Sequence, residues 1–232
     1  MLLQPFLPAH HIGPDSKDAV KLGAGLIATM AALILGLLVA STKNSFDATN
    51  HIITVSSADS VYLDRVLALY GPEAARIRKD VRDALQNRLV RIWPEEHPDR
   101  PDGDVSEASP RLEKLVQEIG ELPPQTETQK ILKEQAVQTS VQLLKDRWLL
   151  EEEGEVVLPA ALLVVPIFWL AMLNFIYALF APRNITVTCV KFACSLSIAG
   201  AIFLIHEMST PMDGLIKVSS HNIRKAMKNI GK

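Results

Sequence analysis

An all-α integral membrane protein is the fold class this sequence predicts, and two observations carry the prediction. Charge is spread very unevenly, and the apolar stretches it leaves are long enough to cross a bilayer. The chain has 232 residues, 48% apolar and 22% charged, with a formal net charge of −2. Its mean hydropathy is +0.17, high for so many charges. No charged residue stands between Lys21 and Lys43 or between Glu155 and Arg183, and from Asn184 to Ile205 only Lys191 does. Residues 44–155 instead carry 22 acidic and 14 basic side chains. This layout excludes an ordinary soluble globule. It also argues against nucleic acid as a partner, since no region clusters Lys and Arg with interleaved aromatics at the density a phosphate footprint needs. Cys189 and Cys194 lie in one apolar run and fit neither a disulfide framework nor zinc-type spacing.

A hydrocarbon core about 30 Å thick needs about 20 apolar residues in a helix. Leu22–Thr42 offers 21 uncharged residues, so the first transmembrane helix is placed at 21–43, after an N-terminal segment 1–20. A cleaved signal peptide is the weaker reading, because its apolar core is normally only about 7–15 residues long. Within the span Ala24, Ala28, Ala32, Gly36 and Ala40 recur every fourth residue and form one ridge of small side chains. Such ridges permit close backbone approach in lipid, so these five residues are assigned to helix packing or pore lining. The next run, at 156–182, holds 27 uncharged residues, with Pro159 near its start and Pro166 inside, where it should bend the helix. A third helix, at 184–206, follows after Pro182-Arg183-Asn184, a link so short that the two should form an antiparallel hairpin. Lys191 lies about two turns, or roughly 10 Å, from the hairpin tip. Its ammonium is therefore expected to reach the headgroups, with an ion-path role as the alternative. Asn174 is read as an interhelical hydrogen-bonding group. Near the spans, Lys43, Lys145, Arg147, Lys217, Arg224 and Lys225 lie on one side and Lys17, Lys21, Arg183 and Lys191 on the other. Six against four favours a cytoplasmic middle domain and C-terminal tail. With three spans the N-terminus would be outside. The opening MLLQPFLPAHH reads as the end of a preceding apolar segment, so a further N-terminal helix is expected, placing both ends in the cytoplasm.

The middle domain, 44–155, has helical periodicity throughout. Val61–Tyr70 is helical without one clean stripe, and Gly71-Pro72 breaks it. Ala74, Ile77, Val81, Leu85, Leu89 and Ile92 then form an apolar stripe that ends at Pro94. Glu95–Pro110 reads as an exposed loop. Amphipathic helices are expected over Arg111–Leu122 and Thr126–Leu150, the second with Ile131, Leu132, Ala136, Val137, Val141, Leu144 and Trp148 near one face. Asp99, Asp102 and Asp104 surround Gly103 at spacings that miss the EF-hand pattern. Glu151-Glu152-Glu153 with Glu155 reads as a solvated flank, and His10-His11 with Asp15 lacks a third ligand at informative spacing. No metal, cofactor or catalytic residue is assigned, and with no G-x-S-x-G, P-loop or H-E-x-x-H the chain is not read as an enzyme.

The segment HIGPDSKDAVKLGAGLIATMAALILGLLVASTKNSFD at His11–Asp47 resembles the opening signature of a prokaryotic bestrophin-like membrane-protein family. Further matches are LDRVLALYGPEAARIR at Leu63–Arg78, the helix end Ile92-Trp93-Pro94, and PMDGLIKVSSHNIRKAM at Pro211–Met227. The motif residues are Asp15, Ser16, Lys17, Asp18, Gly71, Pro72, Glu73, Trp93, Pro94, Pro211, Gly214 and Ser219. The resemblance implies a distant similarity to bestrophins, pentameric anion channels with four membrane helices per subunit and a helical cytosolic region. It makes the lipid bilayer, other copies of the chain and anions the expected partners. Members usually carry one more N-terminal membrane helix than this chain. Two bestrophin features lack a counterpart: the first span has no aromatic residue to build a hydrophobic neck, and the acidic calcium clasp is missing. The leading expectation is an inner-membrane homo-oligomer with an anion pore lined by the first span, where Arg183 and Lys191 enrich anions near one mouth. Its rival is a non-conducting membrane scaffold whose amphipathic helices bind a protein partner. The tail, 207–232, is expected to be cytoplasmic.

Overall fold

The computed structural model describes residues 14–96, 108–153, 160–180, 184–212 and 214–231. Among these the regular structure is helical: α1 (Pro14–Tyr70), α2 (Ala75–Ile92), α3 (Ala108–Glu121), α4 (Glu127–Glu153), α5 (Ala160–Phe180), α6 (Ile185–Ser209) and α7 (His221–Met227). The chain divides into two compact units, the first made of Met1–Ser45 with Val156–Thr210, the second of Phe46–Glu155 with Pro211–Lys232. Three helices are long and apolar enough to cross a membrane: α1, α5 and α6.

In the first unit, the α5–α6 pair is antiparallel, as its two cross-helix hydrogen bonds show. Lys191 Nζ donates to the Tyr177 carbonyl at 2.9 Å, and Ser195 Oγ donates to Asn174 Oδ1 at 3.4 Å. Asn184 caps α6, its Oδ1 accepting from Val187 N at 2.8 Å. Pro166 lies buried inside α5, where its missing N–H leaves the Leu162 carbonyl without its intrahelical donor.

The first apolar helix does not stop at residue 43. It runs on to Tyr70, so Val61–Tyr70 is the end of α1 and not a separate element. The physical reason is local: no Gly or Pro occurs from Leu37 to Tyr70. Hydroxyls in this stretch also close on their own helix, Ser57 Oγ donating to the Ile53 carbonyl at 2.6 Å and Ser60 Oγ to the Ser56 carbonyl at 2.7 Å. In the second unit α1 does have one stripe, stepping by three and four through Phe46, Thr49, Ile53, Ser56, Ser60, Leu63, Leu67 and Tyr70. All of these are buried except the half-buried Phe46.

Two apolar clusters hold the second unit together. One joins Leu63, Leu67 and Tyr70 of α1 to Ile77 and Val81 of α2, Leu115 and Ile119 of α3, and Ala136 and Leu143 of α4. The other joins Ile53 of α1 and Leu85, Leu89 and Trp93 of α2 to Val218, Ile223, Ala226 and Ile230 of the tail. Ala74, Ile77, Val81, Leu85 and Leu89 are all buried, so the stripe read from α2 faces the core. α4 departs from its expected face. Ile131 and Trp148 are exposed, and the buried positions are Ala136, Ser140, Leu143, Asp146 and Arg147. α3 starts at Ala108, inside the segment read as loop, and residues 97–107 of that segment lie outside the described residues.

Candidate functional site

Along its membrane half, α1 is buried at Ala24, Ala31, Leu38 and Thr42 and exposes Leu22, Leu26, Met30, Leu33 and Leu37. The small-residue ridge is split across this division. Ala24 is buried and Ala28 half-buried, whereas Ala32, Gly36 and Ala40 are exposed. A methyl group added at Gly36 would meet nothing within 4 Å. Close packing inside this chain is therefore not what the outer part of the ridge serves. Lys191, read as a group reaching for headgroups or attracting anions, spends one N–H on the Tyr177 carbonyl, one of the acceptors that the end of α5 leaves without an intrahelical donor. Arg183 lies outside the described residues.

The family-motif residues fall into three places. Asp15, Ser16, Lys17 and Asp18 occupy the first turns of α1, where Asp18 Oδ1 accepts from Lys21 Nζ at 3.2 Å. Gly71, Pro72 and Glu73 turn the chain from α1 into α2. Gly71 has φ +134°, a region only glycine occupies readily, and a Cβ there would sit 2.6 Å from Glu73 Oε2. Pro72 opens the short 3₁₀ turn Pro72–Ala74, a position that suits its missing N–H. Gly71→Ala is accordingly expected to lower stability by about 1–3 kcal/mol, read as a lower denaturant midpoint in detergent.

The third place is a joint between residues far apart in sequence. Trp93, 4% exposed at the end of α2, donates from Nε1 to the Val218 carbonyl at 2.8 Å. Val218 N in turn donates to the carbonyl of the buried Pro211 at 3.0 Å. Pro94 starts the turn that carries Glu95 and Glu96. Glu95 pairs with Lys217, while Glu96 pairs with Arg224 and accepts from Ser220 Oγ at 3.0 Å. Gly214 bends the tail with φ +98°, and Ser219 Oγ accepts from His221 N at 3.2 Å. The structure thus brings Trp93 and Pro94 together with the motif containing Pro211, Gly214 and Ser219. It leaves Gly71, Pro72 and Glu73 in a turn of their own.

Sequence reading missed the charged groups inside the second unit. Asp64 is fully buried; its Oδ1 accepts from Arg78 Nε at 2.8 Å and its Oδ2 from Arg78 Nη2 at 3.1 Å and Gly231 N at 3.0 Å. Burial pushes the carboxyl up, but the Arg78 and Gly231 hydrogen bonds and the charges of Arg78 and Arg65 outweigh it and hold Asp64 below the usual carboxylate range. Arg88 reaches the α1 stripe, donating from Nη1 to Ser56 Oγ at 2.9 Å. Burial, with Arg91 and Arg147 repelling and Asp146 attracting, brings its guanidinium down to about 10, so it stays charged at neutral pH. The available signal was a charge at a position the periodicity turns inward, as at Asp64 beside Leu63. Among the described residues no three His, Cys, Asp or Glu side chains gather as a metal site.

The whole arrangement has solved counterparts. Two structures of a bacterial bestrophin homologue from Klebsiella pneumoniae, single mutants with threonine replacing an isoleucine in one and a leucine in the other, share this fold. Each superposes with a TM-score of 0.68 at 14% identity over 90% of this chain, covering 87% and 85% of theirs. No curated protein matches the sequence. The family model described as a bestrophin-like domain matches residues 1–223. Covering nearly the full chain and agreeing with the helical architecture, that match places the protein in the bestrophin-like family.

Proposed function

We propose that the protein is an inner-membrane homo-oligomer that conducts anions, with the membrane half of α1 lining the conduit and the second unit in the cytoplasm. The observation that carries this reading is the outward ridge. Ala32, Gly36 and Ala40 are small, lie on a helix apolar enough to span the bilayer, and meet nothing in their own chain that their size would serve. Small residues let a second helix approach closely or leave bore width on an axis. Bestrophins are anion channels, and family membership supports the same use here. The scaffold reading loses support because the amphipathic stripes it needs are occupied: Ile77, Val81, Leu85 and Leu89 of α2 and Leu115 and Ile119 of α3 are buried inside the second unit.

Reconstitution into liposomes tests the proposal. Purified protein is expected to give a halide or nitrate current that reverses at the anion equilibrium potential, and its absence across calcium concentrations and voltages would overturn conduction. Gly36→Leu is expected to shift the detergent-solubilised protein toward smaller species and to reduce that current at least tenfold. An unchanged oligomer distribution would remove the ridge from the packing role.

A further inference from the structure

Asp59 lies on the part of α1 that belongs to the second unit. It is half-buried and makes no hydrogen bond or ion pair. Asp146 of α4 is 5% exposed; its Oδ1 accepts from Gln142 Nε2 at 2.8 Å, and its Oδ2, sealed from solvent, has no hydrogen-bond partner. The two carboxyls are close enough that, after burial itself, the charge of Asp146 is what raises Asp59 above the usual carboxylate range. Other charged groups bear on the pair from α2 and α4, yet none supplies the missing donor. Arg88 gives Nη1 to Ser56. Arg91 and Arg147 both face Glu151, at 4.0 and 2.9 Å.

A buried acceptor without a donor calls for an explanation, and two neighbouring acids short of donors suggest one. Ionised, each carboxylate only accepts; protonated, Asp59 acquires an O–H to give, and the sealed oxygen of Asp146 is the acceptor short of one. We propose that Asp59 and Asp146 form a proton-sharing carboxyl pair that joins α1 to α4, so that acidification tightens this joint. One proton removes the repulsion between the acids and satisfies the orphaned oxygen. A divalent cation is the poorer occupant, because Arg88, Arg91 and Arg147 already surround the pair with three guanidinium groups.

Thermal unfolding of the full chain in mild detergent, followed from neutral to acid pH, tests the pair. The folded protein holds the Asp59 proton more tightly than the unfolded chain does. The native state therefore gains stability as pH falls through the raised folded value, and the gain is complete below the ordinary one. Asp59→Asn carries a donor at every pH. Its Tm is expected to exceed that of the unsubstituted protein at neutral pH, with the difference vanishing on acidification. Infrared titration gives a second readout: a protonated-carboxyl band absent from Asp59→Asn and displaced to lower pH in Asp146→Asn. If Asp59→Asn proves unstable, the band in the unsubstituted protein compared with Asp146→Asn decides the matter alone. The proposal fails if the Tm difference is absent or constant with pH, or if the band does not move. Calcium or magnesium at neutral pH raising the Tm of the unsubstituted chain but not of Asp59→Asn would make the site a cation site and overturn it as well.

Discussion

Asp64→Ala is expected to lower the unfolding free energy by about 3 kcal/mol, measured as a reduced denaturant midpoint at neutral pH. Removing one member of a buried pair typically costs 3–5 kcal/mol because it strands the other. The lower end applies because the Arg78 side chain keeps 25% of its exposure and can turn toward water. The substitution also deprives Gly231 N of its acceptor, so the end of the tail should loosen with it. A double-mutant cycle with Arg78→Leu isolates the pair itself, and a coupling below about 0.5 kcal/mol would show that the pairing does not matter. The pH dependence has a definite sign. The folded value of Asp64 is held down, so its contribution is present above the ordinary carboxylate value of about 3.9 and is lost as pH falls through the lowered folded value. Asp64→Ala should therefore flatten the acid limb of the stability profile. That places it at lower pH than the Asp59 effect, which runs in the opposite direction.

Trp93→Ala is the second large effect, expected at about 3–5 kcal/mol. The indole is nearly enclosed, packs in the cluster with Leu85, Leu89, Val218, Ile223 and Ile230, and closes the joint to the tail with its Nε1–H. Its loss leaves a cavity and an unpaired Val218 carbonyl together. Limited proteolysis checks the location: cleavage should appear within residues 211–231 before anywhere in α2 or α4. Trp93→Phe keeps most of the packing and removes only the hydrogen bond. It should fall near 1 kcal/mol, and equal losses for the two substitutions would place the energy in the bond instead of the packing.

How much of this was legible in the sequence depends on what each interaction leaves behind in it. Gaps in charge exposed the three apolar helices, and a three-four spacing exposed the buried face of α2 from Ala74 to Leu89. The stripe of α1 was hidden because Thr49, Ser56 and Ser60 occupy positions where the eye looks for apolar residues. Their hydroxyls bond within the helix, so they can be buried without looking hydrophobic. α4 was mis-centred for a related reason. Its inward face includes Ser140, Asp146 and Arg147, while the conspicuous Ile131 and Trp148 point outward. The charged contacts left almost no trace, since Asp64 meets Gly231 167 positions away and Trp93 meets Val218 after 125. Periodicity reports which face turns inward and is silent about what it finds there.

Two arginines of α2 reach α1: Arg78 at Asp64 and Arg88 at Ser56. The contacts run in opposite order along the two helices, ten residues apart on one and eight on the other, so they grip a stretch of α1 about 12 Å long at both ends. A rod held at one point can swivel; held at two, it cannot. Sliding α1 by a single turn past α2 would forfeit both grips in the same movement, which makes any such displacement a discrete jump between settings and forbids gradual creep.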